Sequence, residues 1–443
     1  RLKVSAKPGE KGAEFRGYFD KADSSSSKSV AKVASIKADG EVLLNSAGDL
    51  LLEGTRIGSE AVKVGDINLH SGGNLQISSA RNTHKAHSNR LDGGLEVSAK
   101  QGDTTGGGVG GHLGYGNVDE DDIEAVDSHL HSNGQLTLSS RANNERALHL
   151  QGVQASAGLI QLQALNGGAL IESSANQIKH SNLDITGGVG GLNQQGKTAT
   201  EGLWLRGKLD LDLRNNQTWN ASTFTARTLA LNSKGDTRLQ GTSLKADHIQ
   251  GTIGGDLHVE SRKDNVDTWI ADVDIKASHE KNPQGWANTV NSIAGPWGQE
   301  AKQQLKFLTK HKPQNYLAPD IYVLREKRDN VAHQAGLEGA EGIDLKVGGA
   351  VNLVGARLAS AHGDVVHGAE KVTAETLTGN NYRVDGGIKF STSSVEQALA
   401  LMKQSKEKST AGNPNAFNLY GLAQGSYLNQ DQELVSSIQG QAK

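Results

Sequence analysis

Carboxylate pairs are the residues of this chain that come nearest to catalytic machinery. In Leu209-Asp210-Leu211-Asp212-Leu213 the strand period of two sets both aspartates on one face, Cα atoms about 6–7 Å apart, a spacing at which two carboxyls can share acid and nucleophile roles on a glycan. Asp272 and Asp274 repeat it. The leucines between them also describe an ordinary strand with a solvated outer face, and that reading is preferred. The run Asp119-Glu120-Asp121-Asp122 lacks the spaced oxygen ligands of a calcium loop and is read as an acidic loop. His84 with His87, and His129 with His131, each lack a third ligand at matching spacing. No Gly-x-Ser-x-Gly elbow or Walker motif is present, and the glycine runs at 107–112 and 187–192 open no amphipathic helix that would cradle a phosphate. No catalytic residue, cofactor site or metal site follows, and the chain is expected not to be an enzyme.

The elements that carry these residues repeat. Gly40-Glu-Val-Leu-Leu and Gly48-Asp-Leu-Leu-Leu recur 25 residues later as Gly65-Asp-Ile-Asn-Leu and Gly73-Asn-Leu-Gln-Ile. Further copies start at Gly94, Gly134, Gly235, Gly255, Gly342 and Gly349. Each is a turn glycine followed by apolar and polar residues in alternation, so each is a half-buried strand. Steps of 20 to 25 residues are too short for βαβ crossovers and match the coils of a solenoid.

Composition agrees with a thin stack of aliphatic layers: aromatics are 4% of 443 residues, while glycine numbers 55. A net charge of −3 and the lack of any basic stripe argue against nucleic acid. The absence of cysteine removes disulfides and thiolate metal sites. No apolar run approaches the roughly 18 residues of a membrane-spanning helix. Arg1-Leu-Lys-Val-Ser has no signal-peptide core and Met402 is the sole methionine, so an internal or mature fragment is expected.

Four segments are read. Residues 1–262 are β-helix repeats interrupted by two glycine-rich excursions, 105–127 and 185–200, each a flexible loop or projecting hairpin; Ser24 to Ser27 form a turn. Residues 263–338 lose the register and carry Trp286, Val290 and Ile293, then Trp297, Ala301, Leu305 and Leu308, at helical spacing on either side of Pro296. Coils resume over 339–388. In 389–443, Ser394-Val-Glu-Gln397 forms a capping box that predicts a helix over 395–407. The fold class is all-β, a right-handed parallel β-helix with a small helical insertion and a C-terminal helix. Taking 14 to 17 coils gives a rod of roughly 65–80 Å.

Residues 65–83, Gly-Asp-Ile-Asn-Leu-His-Ser-Gly-Gly-Asn-Leu-Gln-Ile-Ser-Ser-Ala-Arg-Asn-Thr, resemble the haemagglutinin repeats of two-partner-secreted exoproteins, the filamentous haemagglutinin and contact-dependent growth inhibition family. The glycine-rich excursion that follows resembles that family's second repeat region. The resemblance covers 38–261 and 339–385. It implies the handed β-helix, export through an outer-membrane transporter, and a surface filament that serves adhesion or toxin presentation. Asn413-Pro-Asn-Ala416 is similar to the family's secretion motif in letters but not in position, and no Val-Glu-Asn-Asn pretoxin boundary occurs.

The expected function is that of a noncatalytic, secreted, surface-exposed and monomeric filament segment that meets a target-cell outer membrane or a host-cell receptor, with no nucleic acid and no cofactor. A host-cell adhesin shaft, a pure spacer and a β-helix polysaccharide lyase or hydrolase are the alternatives. Trp286, Trp297, Lys302, Lys306, Phe307 and Lys310 are the candidate contacts, because tryptophan and lysine on an amphipathic helix suit a partner or a lipid headgroup region.

Overall fold

A computed structural model describes residues 2–7, 10–102, 104–196, 200–280, 315–361, 365–389, 416–419 and 423–439. All regular structure within them is strand, organised as a parallel β-helix from which a second, antiparallel sheet projects. Of the helical insertion expected over 263–338, Asp264–Glu280 and Asn315–Asn330 are instead strands of the projecting sheet, while the residues at helical spacing (286–308) and the helix expected over 395–407 lie outside the described residues.

One turn of the β-helix holds three short strands, for example Ser128–His131, Gln135–Ser140 and Leu148–Gln151. Among the described residues eight coils each place one strand in the eight-stranded parallel sheet, and Ser437–Gln439 opens a ninth, so the stack rises about 38 Å. The longer rod expected from the sequence is corrected. The alternation at Gly94-Leu-Glu-Val and Leu209-Asp-Leu-Asp-Leu belongs to the projecting sheet and adds nothing to the stack.

Inward residues of consecutive coils stack in columns, one of which runs Val42, Ile67, Leu136, Ile160, Leu229, Ile249, Ile343. All seven are buried. Burying such a side chain contributes about 1.5–3 kcal/mol, and a column can form only against its neighbours. The recurring Gly-Asp pair has its own geometry. Asp236 Oδ1 accepts the amide of Asp256 at 2.9 Å, and Asp256 Oδ1 that of Ala350 at 2.7 Å. Because each carboxylate lies over the next coil's glycine, a Cβ at Gly255 would meet Asp236 Oδ1 at 2.1 Å. Aspartate and glycine recur together because each coil's aspartate occupies the space where the next coil's side chain would be.

After the third strand of a coil the chain takes one of two routes, and the routes alternate without exception. Following Leu50–Glu53, Leu148–Gln151, Thr237–Gln240 and Ala350–Val354, a glycine turns the corner directly: Gly54, Gly152, Gly241 and Gly355 have φ of 56°, 62°, 59° and 58°. Following Leu75–Ser78, Ala169–Glu172, Leu257–Glu260 and Lys371–Glu375, the chain leaves the stack as a long hairpin. The spacing of strands accounts for the alternation. A hairpin is two strands wide, about 9.6 Å, which is the rise of two coils, so hairpins from every second coil meet edge to edge. Gly152→Ala is predicted to destabilise the fold by about 1–2 kcal/mol from left-handed backbone strain alone, since its Cβ would also lie 2.5 Å from Asp127 Oδ1. Urea unfolding followed by circular dichroism checks this; an unchanged midpoint would contradict the role given to the corner glycine.

The hairpin strands are Ala80–Gln101 with Thr104–Val126, Ser174–Gly196 with Thr200–Asn220, Asp264–Glu280 with Asn315–Asn330, and Leu377–Lys389 with Ala423–Leu434. Glu10–Ser29 precedes them, and the short strands Leu2–Lys7 and Ala416–Leu419 complete the 11-stranded sheet. Ser24 to Ser27 are therefore strand residues, not a turn. Hydroxyls tie the feet of the hairpins: Ser128 Oγ donates to the Ser78 carbonyl at 2.9 Å and Ser222 Oγ to the Glu172 carbonyl at 2.6 Å.

Candidate functional site

The projecting sheet is one layer thick among the described residues, and its two faces differ in character. In antiparallel pairing, directly opposed residues point the same way, so a row can be followed across the sheet. One row reads Leu91, Tyr115, Ile185, Leu209, Val273, Ile321, Ile388. The next reads Leu183, Leu211, Ala271, Val323. On the central strand the apolar positions run Leu203, Leu205, Leu209, Leu211 and Leu213, interrupted by Gly207. Many side chains of this face are uncovered, Leu203 at 62% exposed, Leu113 at 57%, Val189 at 57% and Phe19 at 52%, whereas Leu209, Leu211 and Leu213 are half-buried among their neighbours and Ala271 is buried. Most exposed large apolar residues of the sheet share this face; Tyr18, Ile178, Tyr322 and Leu428 are on the other.

The opposite face is a lattice of ion pairs. Arg206 holds Asp274 at 3.0 Å, with Lys276 on the same carboxylate at 2.9 Å. Arg90 bridges Asp92 and Asp184, both at 3.1 Å, and Arg214 pairs with Asp212 at 2.6 Å. Burial pushes the Asp274 carboxyl up, but hydrogen bonds from Arg206 and Lys276 outweigh it, and the net shift is downward. Asp272, directly opposite Asp210, is pushed up by burial and then by that like charge. Lys208, hydrogen-bonded to Asp210, is raised.

Toward the β-helix the apolar band stops abruptly. Two residues beyond Leu213 on the same face a row carries Lys85, Asp121, Lys179, Asn215, Asp267 and Lys327. Arg325 pairs with Asp267. A shallow groove of about 620 Å³, with Ser25, Ser27, Lys85 and Lys179 in its lining, follows this boundary.

The glycine runs expected to be flexible loops are strands with occupants. Trp204 packs over Gly188 and Gly190, where Cβ atoms would meet its ring at 3.1 and 2.3 Å. Phe19 lies over Gly93 in the same way. Aromatic rings thus cover the bare backbone.

The sheet is anchored at Glu172, whose carboxylate accepts from His149 at 2.9 Å and Arg262 at 2.7 Å, while Arg262 stacks on Trp219 at 4.2 Å. Burial raises the Glu172 carboxyl, yet these partners bring it net below its usual range. A depressed carboxyl contributes stability above its unfolded value near 4.3, and that contribution is lost as pH falls through the folded value. Glu172→Gln is therefore expected to cost about 1.5–3 kcal/mol at neutral pH, the gap from the parent closing below about pH 4. A gap that stays constant down to pH 3 would refute the charge-dependent anchor.

Comparison with known proteins places the chain. A family model described as hemagglutinin repeat matches residues 17–182 and 145–269, more than half of the sequence. The chain belongs to the hemagglutinin-repeat family. It is 34% identical over 308 residues to a hemolysin of Serratia marcescens, covering 64% of this chain and 19% of that protein. A hemolysin of Proteus mirabilis is 24% identical over an alignment of 469 residues, 90% of this chain and 29% of the relative. A deoxyribonuclease CdiA of Dickeya dadantii is 28% identical over 184 residues, 41% of this chain and 5% of the relative. The chain thus spans under a third of the length of each. No solved structure matches it significantly. As a hemagglutinin-repeat chain with these relatives, it is a segment of a secreted two-partner-secretion exoprotein of the cell surface or extracellular space.

Within this family member the candidate residues disperse. Trp286, Trp297, Lys302, Lys306, Phe307 and Lys310 all lie outside the described residues. Asp210 and Asp212 do share a face, as do Asp272 and Asp274, but on an open sheet Lys208 occupies Asp210, Arg214 Asp212, and Arg206 with Lys276 Asp274, while Asp272 lies opposite Asp210. The acidic run 119–122 is strand, not loop, and its members alternate between faces. His84 and His87 turn to different carboxylates, Glu120 at 3.4 Å and Asp119 at 2.5 Å. His129 and His131 stack at 5.9 Å, His131 bonded to Ser156, and burial lowers both. Among the described residues no group of three or more ligating side chains could hold a metal, and no helix is long and apolar enough to cross a membrane.

The apolar face went unread in the sequence, although each strand of it was legible. Its signal is the interval between coils. The chain takes 50 residues from Ser78 to Ser128 and again 50 from Glu172 to Ser222, equal detours too long for a coil and even enough for matched hairpins.

Proposed function

We propose that this chain is a noncatalytic segment of a large secreted exoprotein in which the β-helix is the shaft and the projecting sheet is the surface that enters a target membrane, in adhesion or toxin delivery. One observation carries the reading: Thr200–Asn220 alternates apolar with mostly charged residues over a band of 11 residues from Leu203 to Leu213, and the apolar rows of that band continue across the neighbouring strands. A membrane-crossing strand needs about 9–11 residues when tilted, and strands of that kind put apolar residues toward lipid and polar ones away from it. The band begins later on Ala80–Gln101, at Leu91, than the corresponding row of Leu213, as strands inclined to a membrane plane require. The two hemolysin relatives support membrane action, and the deoxyribonuclease relative supports toxin carriage. An outer-membrane transporter is the partner during export, which suits coils that need only their neighbours to fold and a chain without cysteine.

Flotation of the purified chain with vesicles of Gram-negative outer-membrane lipid and of host-type lipid, together with release of a trapped dye, tests the proposal. Co-flotation with either vesicle supports membrane contact, and the preferred lipid separates bacterial competition from host adhesion. Recovery in the unbound fraction with both would leave a spacer or a protein-receptor adhesin.

A further inference from the structure

The same apolar face carries a second, independent signature at its charged boundary. Across the five central strands the row reads Asp121, Lys179, Asn215, Asp267, Lys327, with Lys85 and Tyr382 next beyond its two ends. In signs this is minus, plus, neutral, minus, plus, a sequence that inverts on reflection through Asn215. Asn215 belongs to Thr200–Asn220, the fifth of the nine long strands and so the middle of the sheet. One row nearer the tip, Asp119 lies two strands to one side of Leu213 and Arg325 two strands to the other.

We infer that in water the apolar faces of two copies of this chain pack against each other about a two-fold axis running along Thr200–Asn220. That axis sets Lys179 of each copy opposite Asp267 of the other, Asp121 opposite Lys327, and Asp119 opposite Arg325. Facing sheets stand about 10 Å apart, a gap that lysine and arginine side chains span from a rim while the aliphatic rows close the centre. The axis also sets Gly187 against Ile275, a small residue against a large one, as interdigitation requires.

The area is adequate. Nine strands at about 4.8 Å, with roughly nine residues of apolar band at 3.4 Å, give a face on the order of 1,300 Å² per copy. Two such faces exceed a standard protein interface and fall in the range of permanent dimers. A single-layer sheet with this much apolar surface lacks the second layer that a water-soluble domain uses to bury its core. A second copy supplies it with matching charge at the rim. The inference stands on the face itself and does not depend on the lipid reading; the contact replaces lipid until a membrane is met.

Sedimentation velocity of the chain, across about 1 to 50 µM, is the test. A species of twice 46.7 kDa is expected. Lys179→Glu and Asp267→Lys should each weaken the dimer about tenfold or more, and the double exchange Lys179→Asp with Asp267→Lys, which restores opposite signs, should return it to within about threefold. In this cysteine-free chain, Leu205→Cys should be joined to its copy by a short bismaleimide, and Asp212→Cys on the other face should not. A monomer at every concentration, or a double exchange no better than the singles, overturns the dimer. Vesicle flotation of the same variants separates the two ideas: lipid binding that survives while no dimer forms sinks this inference alone.

Discussion

Leu209→Arg is expected to reduce vesicle partition of the chain by about 30-fold to several hundred-fold. Leu209 lies midway along the apolar band of the central strand, and the cost of an arginine at the lipid-facing midplane of a β-sheet is about 2–4 kcal/mol, tenfold for each 1.4 kcal/mol. The substitution removes nothing from the β-helix core, because Leu209 is absent from the buried column residues and its hairpin leaves the stack at Glu172. The circular dichroism spectrum should therefore be that of the parent. Asp210→Asn, the adjacent residue on the ion-paired face, is the matched control and should change partition less than about threefold. Equal losses for both variants, or for neither, would show that the apolar face is not what meets lipid. The comparison is stringent because the two positions differ by one residue in sequence and share the same distance from the shaft.

Phe224→Ala is expected to be the most destabilising single change in the shaft. Phe224 heads the fully buried side chains by volume, at 0% exposure, and is held between Ala155 in one adjacent coil and Leu244 in the other. Truncation of a buried phenylalanine costs about 3–5 kcal/mol, since the cavity left behind closes only partly. In a stack where each coil is stabilised by its neighbours, a gap weakens two interfaces at once. The urea midpoint should fall accordingly, with Phe224→Leu retaining most of the stability. A loss below about 1 kcal/mol for the alanine variant would mean that the coils tolerate voids and that the columns are not the source of stability. Vesicle partition, measured under conditions where the variant is folded, should not change, because the sheet and the shaft bury different residues.

The β-helix was legible at particular residues. Gly235-Asp and Gly255-Asp announce successive coils, and the reason is local: an aspartate over the next coil's glycine leaves its mark in the sequence at every turn. The apolar columns were legible too, since Ile67, Leu136 and Ile160 each head an alternating run. The corner glycines could be seen as glycines, but not as corners. Gly152 and Gly158 look alike in the sequence, and φ of 62° at Gly152 marks it as the left-handed corner. The candidate site was the least legible part. Leu209-Asp-Leu-Asp-Leu reads equally as a coil strand with a solvated outer face or as a hairpin strand with an uncovered apolar one.

From residue order alone came the strand content, the solenoid grammar, the absence of thiol chemistry and the family. Tertiary structure decided which alternating segments stack and which leave, how many coils there are, and that four detours from alternate coils merge into one sheet. The physical reason is that alternation has a period of two in every half-buried strand, whatever lies against its apolar side. Composition and spacing specify that an apolar side exists. Only the placement of neighbouring strands determines whether it is closed by the next wall of the coil, as at Leu229 and Phe224, or left open on the sheet, as at Leu203 and Leu205.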